Sequence, residues 1–235
     1  MNAIACQVVS IEALTPVVSK VLLAPSMPVQ FTAGQYLQLC ITPTDKRPFS
    51  IASIPEQALL ELHIGTPEGD SWSSVAMSHL QQQHALAAPV QVEVGLGQAQ
   101  WHAQSDRPVI LLAGGTGFSY VYSIAMAIEA AKQNKPVFLY WGVRNEQALY
   151  YQAELEQWAA TNSKFRFIPV VQQAATSWSG RTGLVHEAVL HDFVSLEAYD
   201  IYMAGPFAMA GVAREAFAEQ GGQREHMFAD AFAYI

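Results

Sequence analysis

Residues 109–117 read Val109-Ile110-Leu111-Leu112-Ala113-Gly114-Gly115-Thr116-Gly117, a continuous apolar run that ends in a glycine-rich turn. Five apolar residues in succession predict a strand that is buried on both faces, as in a parallel sheet. Glycine tolerates the backbone angles of a tight turn, so we expect a turn at these residues. We expect a helix directly after the turn. The uncharged stretch from Val109 to Ile128 is long enough to cross a membrane. The glycine turn inside it, with serines and tyrosines after the turn, favours a strand, a turn and a buried helix instead.

Downstream of this turn, apolar strands alternate with helical patterns. The alternation predicts a parallel sheet that is covered by helices on both faces. We expect the remaining strands at Val137–Trp141, Phe165–Val171, Asp200–Ala204 and in a closing C-terminal strand within His226–Tyr234. Helices are expected up to about Lys132 and over Glu146–Thr161, Gly183–Phe193 and Pro206–Gln220.

Upstream of about residue 100, the pattern is that of short antiparallel strands. Turn-forming residues separate six runs, and this spacing predicts a small closed barrel. The runs are Cys6–Ile11, Val18–Ala24, Gln35–Ile41, Arg47–Ser53, Leu59–Gly65 and Val90–Leu96. The expected architecture is therefore a six-stranded antiparallel β-barrel over residues 1–104, followed by a parallel-sheet α/β domain over residues 105–235.

A helix is also predicted between the last two barrel strands, over Ser71–Gln83. Its beginning carries Asp70 and three serines. Ordinary N-capping explains these residues. A phosphate bound at the helix N-terminus would explain them equally well.

The composition argues against several classes of function. With 12 Lys and Arg against 20 Asp and Glu, the formal net charge is −8, whereas nucleic-acid binding needs a basic surface. The two cysteines, Cys6 and Cys40, fit neither a disulfide framework nor a zinc spacing, and no histidines pair one helical turn apart, so we expect no metal site. The N-terminus lacks the pattern of a signal peptide, so we expect a cytoplasmic protein.

Two stretches carry candidate chemistry. Arg47-Pro48-Phe49-Ser50 offers an aromatic face, a hydroxyl and a guanidinium, which together suit a flat ring with a polar edge. An ordinary strand with a surface arginine is the alternative. The glycine turn Gly114–Gly117 lies beyond the carboxyl end of a strand, where ligands bind in open parallel sheets. It matches neither the dinucleotide fingerprint, nor the phosphate-binding loop, nor the nucleophile elbow, so a structural turn is the alternative there.

Six motifs in this order resemble those of the ferredoxin-NADP reductase superfamily, and within it the small NAD(P)H:flavin oxidoreductases. The resemblance covers essentially the whole chain. The motifs are Arg47–Ser50, Glu61–Gly65, Gly114–Tyr120, Tyr140–Gly142 with Arg144, Gly180–Gly183 and Phe228–Ala233.

The resemblance implies a flavin site and a pyridine-nucleotide site. Ser50 would lie near the reactive N5 of the flavin and Thr116 beside the nicotinamide, which makes these two the expected catalytic residues. The flavin site would comprise Arg47, Pro48, Phe49, Ser50, Ile64, Gly65, Asp230 and Phe232. The NAD(P) site would comprise Ala113, Gly114, Gly115, Thr116, Gly117, Ser119, Trp141, Arg144, Gly205 and Pro206, with Trp141 and Arg144 toward the adenosine.

The implied reaction is hydride transfer from NADH or NADPH to N5 of riboflavin, FMN or FAD. Flavin is implied as a substrate rather than a tightly bound group, because Phe49 stands where the members that retain FAD usually carry tyrosine. Ala204 stands where many superfamily members carry cysteine, which removes a thiol from the nicotinamide side. The implied users of reduced flavin are ferric complexes, cobalamins, a luciferase or a monooxygenase. The resemblance further implies a monomer or weak dimer without nucleic-acid or membrane partners.

Two other classes of function stay open at the level of sequence. One is an electron-transfer reductase component with tightly bound flavin that serves a separate iron–sulfur or haem partner. A purified protein that is yellow would indicate this class. The other is a pyridine-nucleotide-binding regulatory module, which would bind nucleotide without oxidising NADH when flavin is added.

Overall fold

The computed structural model describes residues 3–235. The chain forms two compact units. The first runs through Trp101 and also contains Tyr122–Ala127, and the second comprises His102–Val121 and Ile128–Ile235. Tyr122–Ala127 is tied to the first unit because the hydroxyl of Ser123 donates to the carbonyl of Ser53 at 2.7 Å.

The first unit is built on a six-stranded antiparallel sheet with the strand order β4-β3-β6-β1-β2-β5. Its strands are β1 Ile4–Thr15, β2 Val18–Pro25, β3 Tyr36–Cys40, β4 Lys46–Ser50, β5 Leu60–Gly65 and β6 Val90–Leu96. The two edge strands of the sheet, β4 and β5, come together just after β4. There the N–H of Ala52 donates to the carbonyl of Glu61 at 2.8 Å. The sheet therefore curls round, and the predicted barrel is confirmed.

Helix α1, Ser71–Ala85, packs Ala76, Met77 and Leu80 into the barrel core. Asp70 caps its N-terminus, because its carboxylate accepts from the N–H of Trp72 at 2.9 Å and satisfies a donor that the helix itself cannot. A carboxylate thus occupies the place that a phosphate would take. Of the two interpretations of this turn, the structure favours ordinary capping.

The second unit is built on a six-stranded parallel sheet with the order β10-β9-β8-β7-β11-β12. Its strands are β7 Val109–Gly114, β8 Val137–Val143, β9 Phe165–Val171, β10 Arg181–Thr182, β11 Asp200–Ala204 and β12 Met227–Phe228. Its helices are α2 Phe118–Ala130, α3 Gln152–Thr161, α4 Val185–Asp192 and α5 Phe207–Glu219. All five residues from Val109 to Ala113 are fully buried, which confirms the expected central strand.

Two predicted elements differ from the structure. The helix predicted over Glu146–Thr161 is divided into a 3-10 turn at Glu146–Ala148 and α3, which begins only at Gln152. The break falls at Leu149, whose backbone leaves the helical region while its side chain is buried. Burial of this side chain therefore outweighs local helix propensity.

The closing segment is the second difference. Within the described closing segment His226–Tyr234, only Met227 and Phe228 pair with β11, and Asp230–Ala233 forms a 3-10 helix. Asp230 and Phe232 therefore do not lie in a C-terminal strand as predicted. Beyond β12 a local bond from the N–H of Phe232 to the carbonyl of Ala229, at 3.1 Å, replaces strand pairing.

Within residues 3–235, no helix combines the length and the apolar character that crossing a membrane requires. In the same part of the chain, no group of three or more His, Cys, Asp and Glu side chains could hold a metal ion.

The two thiols should differ in their reactivity. Cys6 is fully buried in the barrel, and burial raises the pKa of its thiol to about 11. Cys40 is partly exposed, and burial followed by the Glu93 carboxylate raises the pKa of its thiol. Because the thiolate is the reactive form, we expect a maleimide at neutral pH to label Cys40 slowly and Cys6 only after unfolding. Equal labelling of both in the native protein, read by peptide mass spectrometry, would contradict the core position of Cys6.

Candidate functional site

The motif on β4 presents two different faces. Side chains alternate along a strand, so Arg47 and Phe49 share one face while Pro48 and Ser50 share the other. Phe49 packs against the barrel core, and its ring centroid lies 5.4 Å from that of Trp72 in α1. Pro48 is exposed and Ser50 is half-buried. The hydroxyl of Ser50 makes no hydrogen bond to the described residues, so it is available to a ligand.

Arg47 is already paired within the first unit. Its Nε and Nη2 donate to the two carboxylate oxygens of Asp45 at 2.9 and 2.7 Å. Its Nη1 donates to the carbonyl of Trp72, and its guanidinium lies 5.5 Å from the Trp72 ring centroid. Hydrogen bonding to Arg47 also lowers the pKa of Asp45. Arg47 therefore joins β4 to the start of α1, and a role at the flavin edge stays a prediction.

Strand β5 offers backbone rather than side chains at the predicted flavin site. The side chain of Ile64 is buried in the barrel core, while Gly65 is half-buried. On the opposite face of the strand, Nε2 of the fully buried His63 lies 2.7 Å from Oε1 of Glu61. Neither residue was among the predicted site residues, although both belong to the motif Glu61–Gly65 and the alternation puts them on one face.

The glycine turn forms a 3-10 helix, Gly115–Gly117, directly after β7. Gly115 has φ +55°, which side chains rarely adopt, and a Cβ there would meet open space. A Cβ on Gly117 would lie 2.3 Å from the carbonyl oxygen of Ala204. A Cβ on Gly205 would lie 3.0 Å from Cα of Gly114. The carboxyl ends of β7 and β11 therefore meet backbone to backbone, and glycine is required for this close approach.

The structure brings most of the predicted NAD(P) residues to this one edge of the parallel sheet. The turn follows β7, and Gly205 with Pro206 follows β11 at the same end. The side chain of Pro206 would lie 3.2 Å from a Cβ on Gly114. Thr116 lies within the turn and is half-buried. Together these residues outline an edge where Gly115 faces open space, while the side chains of Met209 and Pro206 lie beside Gly114.

Two predicted nucleotide contacts are buried. Trp141 has no exposed surface, and Ser119 is 1% exposed. The Nε1–H of Trp141 donates to the carbonyl of Gly115 at 2.9 Å, and its ring stacks on Phe118 at 3.9 Å. In this structure Trp141 therefore supports the turn from within the core, and its place toward the adenosine stays a prediction. The buried hydroxyl of Ser119 has no partner within residues 3–235.

The loops that follow β8 and β9 are tied together at the same edge of the sheet. The carbonyl of exposed Arg144 accepts from the N–H of Gln173 at 2.8 Å, and its Nε lies 3.3 Å from Oε1 of Gln173. The carboxylate of Glu146 accepts from the N–H of Ala175 at 2.9 Å. Gln173 and Glu146 were not among the predicted site residues, because residues in irregular loops leave no periodic signal.

Asp230 and Phe232 lie beside the edge of the parallel sheet. Burial, and then the negative charge of Asp230, raises the pKa of the buried Tyr120 hydroxyl. Phe232 packs against the core of the second unit, with the guanidinium of Arg214 5.0 Å from its ring centroid. Both residues therefore have structural contacts within the second unit, and their contact with flavin stays a prediction.

Comparison with known proteins adds independent findings. Residues 111–215 match the family described as the oxidoreductase NAD-binding domain. Over 235 residues the chain is 43% identical to a Vibrio harveyi protein named NAD(P)H-flavin reductase, with 99% of each chain covered. It is 44% identical over 233 residues to an Aliivibrio fischeri protein of the same name, with 98% of each chain covered.

Solved structures show the same fold. An Amycolatopsis cytochrome P450 reductase matches with a TM-score of 0.85 and 26% identity, over 96% of this chain and 68% of that one. The flavohem-like FAD/NAD-binding domain of a Vibrio cholerae nitric oxide dioxygenase matches with a TM-score of 0.82, over 97% of this chain and 98% of that one. At 15% identity, the second likeness shows the fold alone.

Proposed function

The chain belongs to the NAD(P)H-flavin reductase family, and from this membership we propose that it transfers a hydride from C4 of NADH or NADPH to N5 of a free flavin. The observation that carries the proposal is the 43% identity to a reductase of that name across 99% of both chains. Two features of the structure support it. The hydroxyl of Ser50 lies on the outward face of β4, and the glycine turn leaves open space beside Gly115.

In this proposal the nicotinamide and the flavin supply the redox chemistry, and the protein supplies orientation. Hydride transfer requires the reacting atoms to approach to about 3–3.5 Å. The backbone of Gly114–Gly117 would hold the nicotinamide end at Gly115, where the space beside the chain is open. Ser50 would orient or polarise the flavin at N5 through its hydroxyl. The hydride transfer itself needs no general base.

Flavin as a substrate requires a site that releases it. A micromolar Kd corresponds to about −8 kcal/mol, and an on-rate of about 10⁷ M⁻¹s⁻¹ then gives a residence time of about a tenth of a second. Phe49 supports such a loose site, because part of its ring surface is taken up by the barrel core and by Trp72. Less aromatic surface therefore remains for stacking on a flavin.

The fate of the reduced flavin is part of the proposal. Released into the cytoplasm, it would reduce ferric complexes or cobalamins, or serve a flavin-dependent luciferase or monooxygenase. The likeness to a cytochrome P450 reductase, with a TM-score of 0.85, favours one second candidate. In that candidate the chain retains its flavin and passes electrons to a separate haem or iron–sulfur protein.

Steady-state NADH oxidation tests the proposal. We expect purified protein to oxidise NADH only when riboflavin, FMN or FAD is added, with a rate that saturates in flavin. A protein that binds NADH but oxidises none with any of the three flavins would contradict the proposal and indicate a regulatory module.

A further inference from the structure

The side chains of Phe118, Trp141 and Tyr150 pack together next to the glycine turn and form an aromatic box. At its centre is the fully buried Trp141 of β8, stacked on Phe118 with ring centroids 3.9 Å apart and planes 14° from parallel. Tyr150 meets the Trp141 ring edge-on at 4.9 Å. These contacts fix the position of the indole. Its single N–H donor then reaches out of the box to the carbonyl of Gly115 at 2.9 Å.

This hydrogen bond helps to orient one peptide unit of the turn, whose carbonyl also accepts from the N–H of Phe118. The carbonyl of Gly115 and the N–H of Thr116 belong to the same planar trans peptide, so they point in opposite directions. When Trp141 holds the carbonyl, the N–H of Thr116 must point away from the aromatic box. That N–H is also among the first donors of the turn and the helix after it, which have no intrahelical acceptor.

Gly115 is a residue whose backbone could otherwise adopt several conformations. Gly115 has φ +55° and no Cβ, and glycine populates positive and negative φ about equally. The space beside its Cα is open, so no neighbouring side chain blocks a rotation. The bond from Trp141 is therefore a second restraint on this peptide plane, beside the bond from the N–H of Phe118 to the same carbonyl.

We propose that Trp141 is a positioning residue for the pyridine nucleotide, which holds the Gly115–Thr116 peptide so that the Thr116 N–H is directed at the bound nucleotide. The inference rests on the proposed function for the identity of the ligand. The role assigned to Trp141 depends on the geometry of the turn. It is separate from the position toward the adenosine that the resemblance implied.

The first test is Trp141→Phe, which keeps an aromatic ring and removes the donor. We expect KM for NADH to rise about three- to tenfold, as the loss of one ordinary hydrogen bond gives, while KM for flavin stays unchanged. Trp158→Phe is the matched control. Trp158 also stacks on a phenylalanine, Phe165 at 4.2 Å in the same unit, but it lies on α3 and not under the turn, so neither KM should move.

The second test observes the wild-type protein and does not need the Trp141→Phe variant to fold. The chain has five tryptophans, so the indole N–H resonance of Trp141 can be assigned by elimination from Trp→Phe variants of the other four. We expect NAD⁺ to shift this resonance and FMN alone to leave it in place. A Trp141 resonance that ignores NAD⁺ while other resonances respond would overturn the proposal.

The outcomes separate this inference from the proposed function. An unchanged KM for NADH in Trp141→Phe, with a fully active wild type, would overturn the positioning role alone. Equal increases in both KM values, together with a lower Tm, would show that Trp141 has only a structural role. That result would also overturn the positioning role. A wild type that neither binds NAD⁺ nor oxidises NADH would overturn both.

Discussion

Ser50→Ala should lower kcat by about 10- to 100-fold, the effect expected when one polarising hydrogen bond at a reacting centre is lost. The free energy of unfolding should change by less than about 0.5 kcal/mol, as for a surface position, because the Ser50 hydroxyl bonds none of the described residues. Steady-state kinetics at saturating NADH and flavin, with a thermal melt, measure both quantities. The effect on kcat should exceed the effect on either KM.

A neighbouring serine provides the matched control. The buried hydroxyl of Ser53 accepts from the N–H of Glu61 at 3.0 Å, so Ser53→Ala should cost about 1–3 kcal/mol of stability by leaving a buried donor unpaired. Its kcat should stay near that of the wild type. Wild-type kcat in Ser50→Ala, or equal losses of kcat in the two variants, would contradict the assignment of Ser50.

Among glycine-to-alanine substitutions in the second unit, Gly117→Ala should be the most destabilising. The added Cβ would lie 2.3 Å from the carbonyl oxygen of Ala204 and 2.7 Å from the backbone N of Gly205. Both are backbone atoms that cannot rotate away. Overpacking of this kind costs about 1–3 kcal/mol or more, which lowers Tm by about 3–10 °C in a domain of this size. KM for NADH should rise as well, because the ends of β7 and β11 are forced apart.

Gly211→Ala is the control for this prediction. Gly211 lies inside α5, and its Cβ would meet Cδ1 of Ile235 at an ordinary 3.4 Å. Alanine favours a helix by about 1 kcal/mol over glycine, so this variant should be as stable as the wild type or slightly more so. A Gly117→Ala protein that melts and binds NADH like Gly211→Ala would show that the turn does not need this close approach.

The sequence predicted the fold because the two periodicities are strong. The fully apolar run Val109–Ala113 and the alternating run Leu60–Ile64 each specify one kind of strand. It also located the glycine turn and the β4 motif. Helix ends were less predictable, since the break at Leu149 and the 3-10 helix at Asp230–Ala233 depend on tertiary burial and on the end of strand pairing.

Side-chain roles within the motifs were the least predictable. Trp141 looks like a ligand contact in sequence, and only the packing of Phe118 and Tyr150 around it shows that it is buried. The ring of Phe49 likewise packs against the barrel core and Trp72, which leaves less of it for a ligand. Motifs identify residues that belong to a site, whereas three-dimensional packing decides which of them a ligand can touch.

The claim that flavin is a released substrate is tested most directly by an anaerobic reaction of a trace of protein with NADH and a large excess of FMN. We expect a colourless purified protein and complete bleaching of the flavin's visible absorbance, because each protein molecule reduces and releases many flavins in turn. A yellow protein whose bleaching stops after a single equivalent of flavin per chain would contradict it. That result would establish a retained flavin and direct attention to a separate electron acceptor.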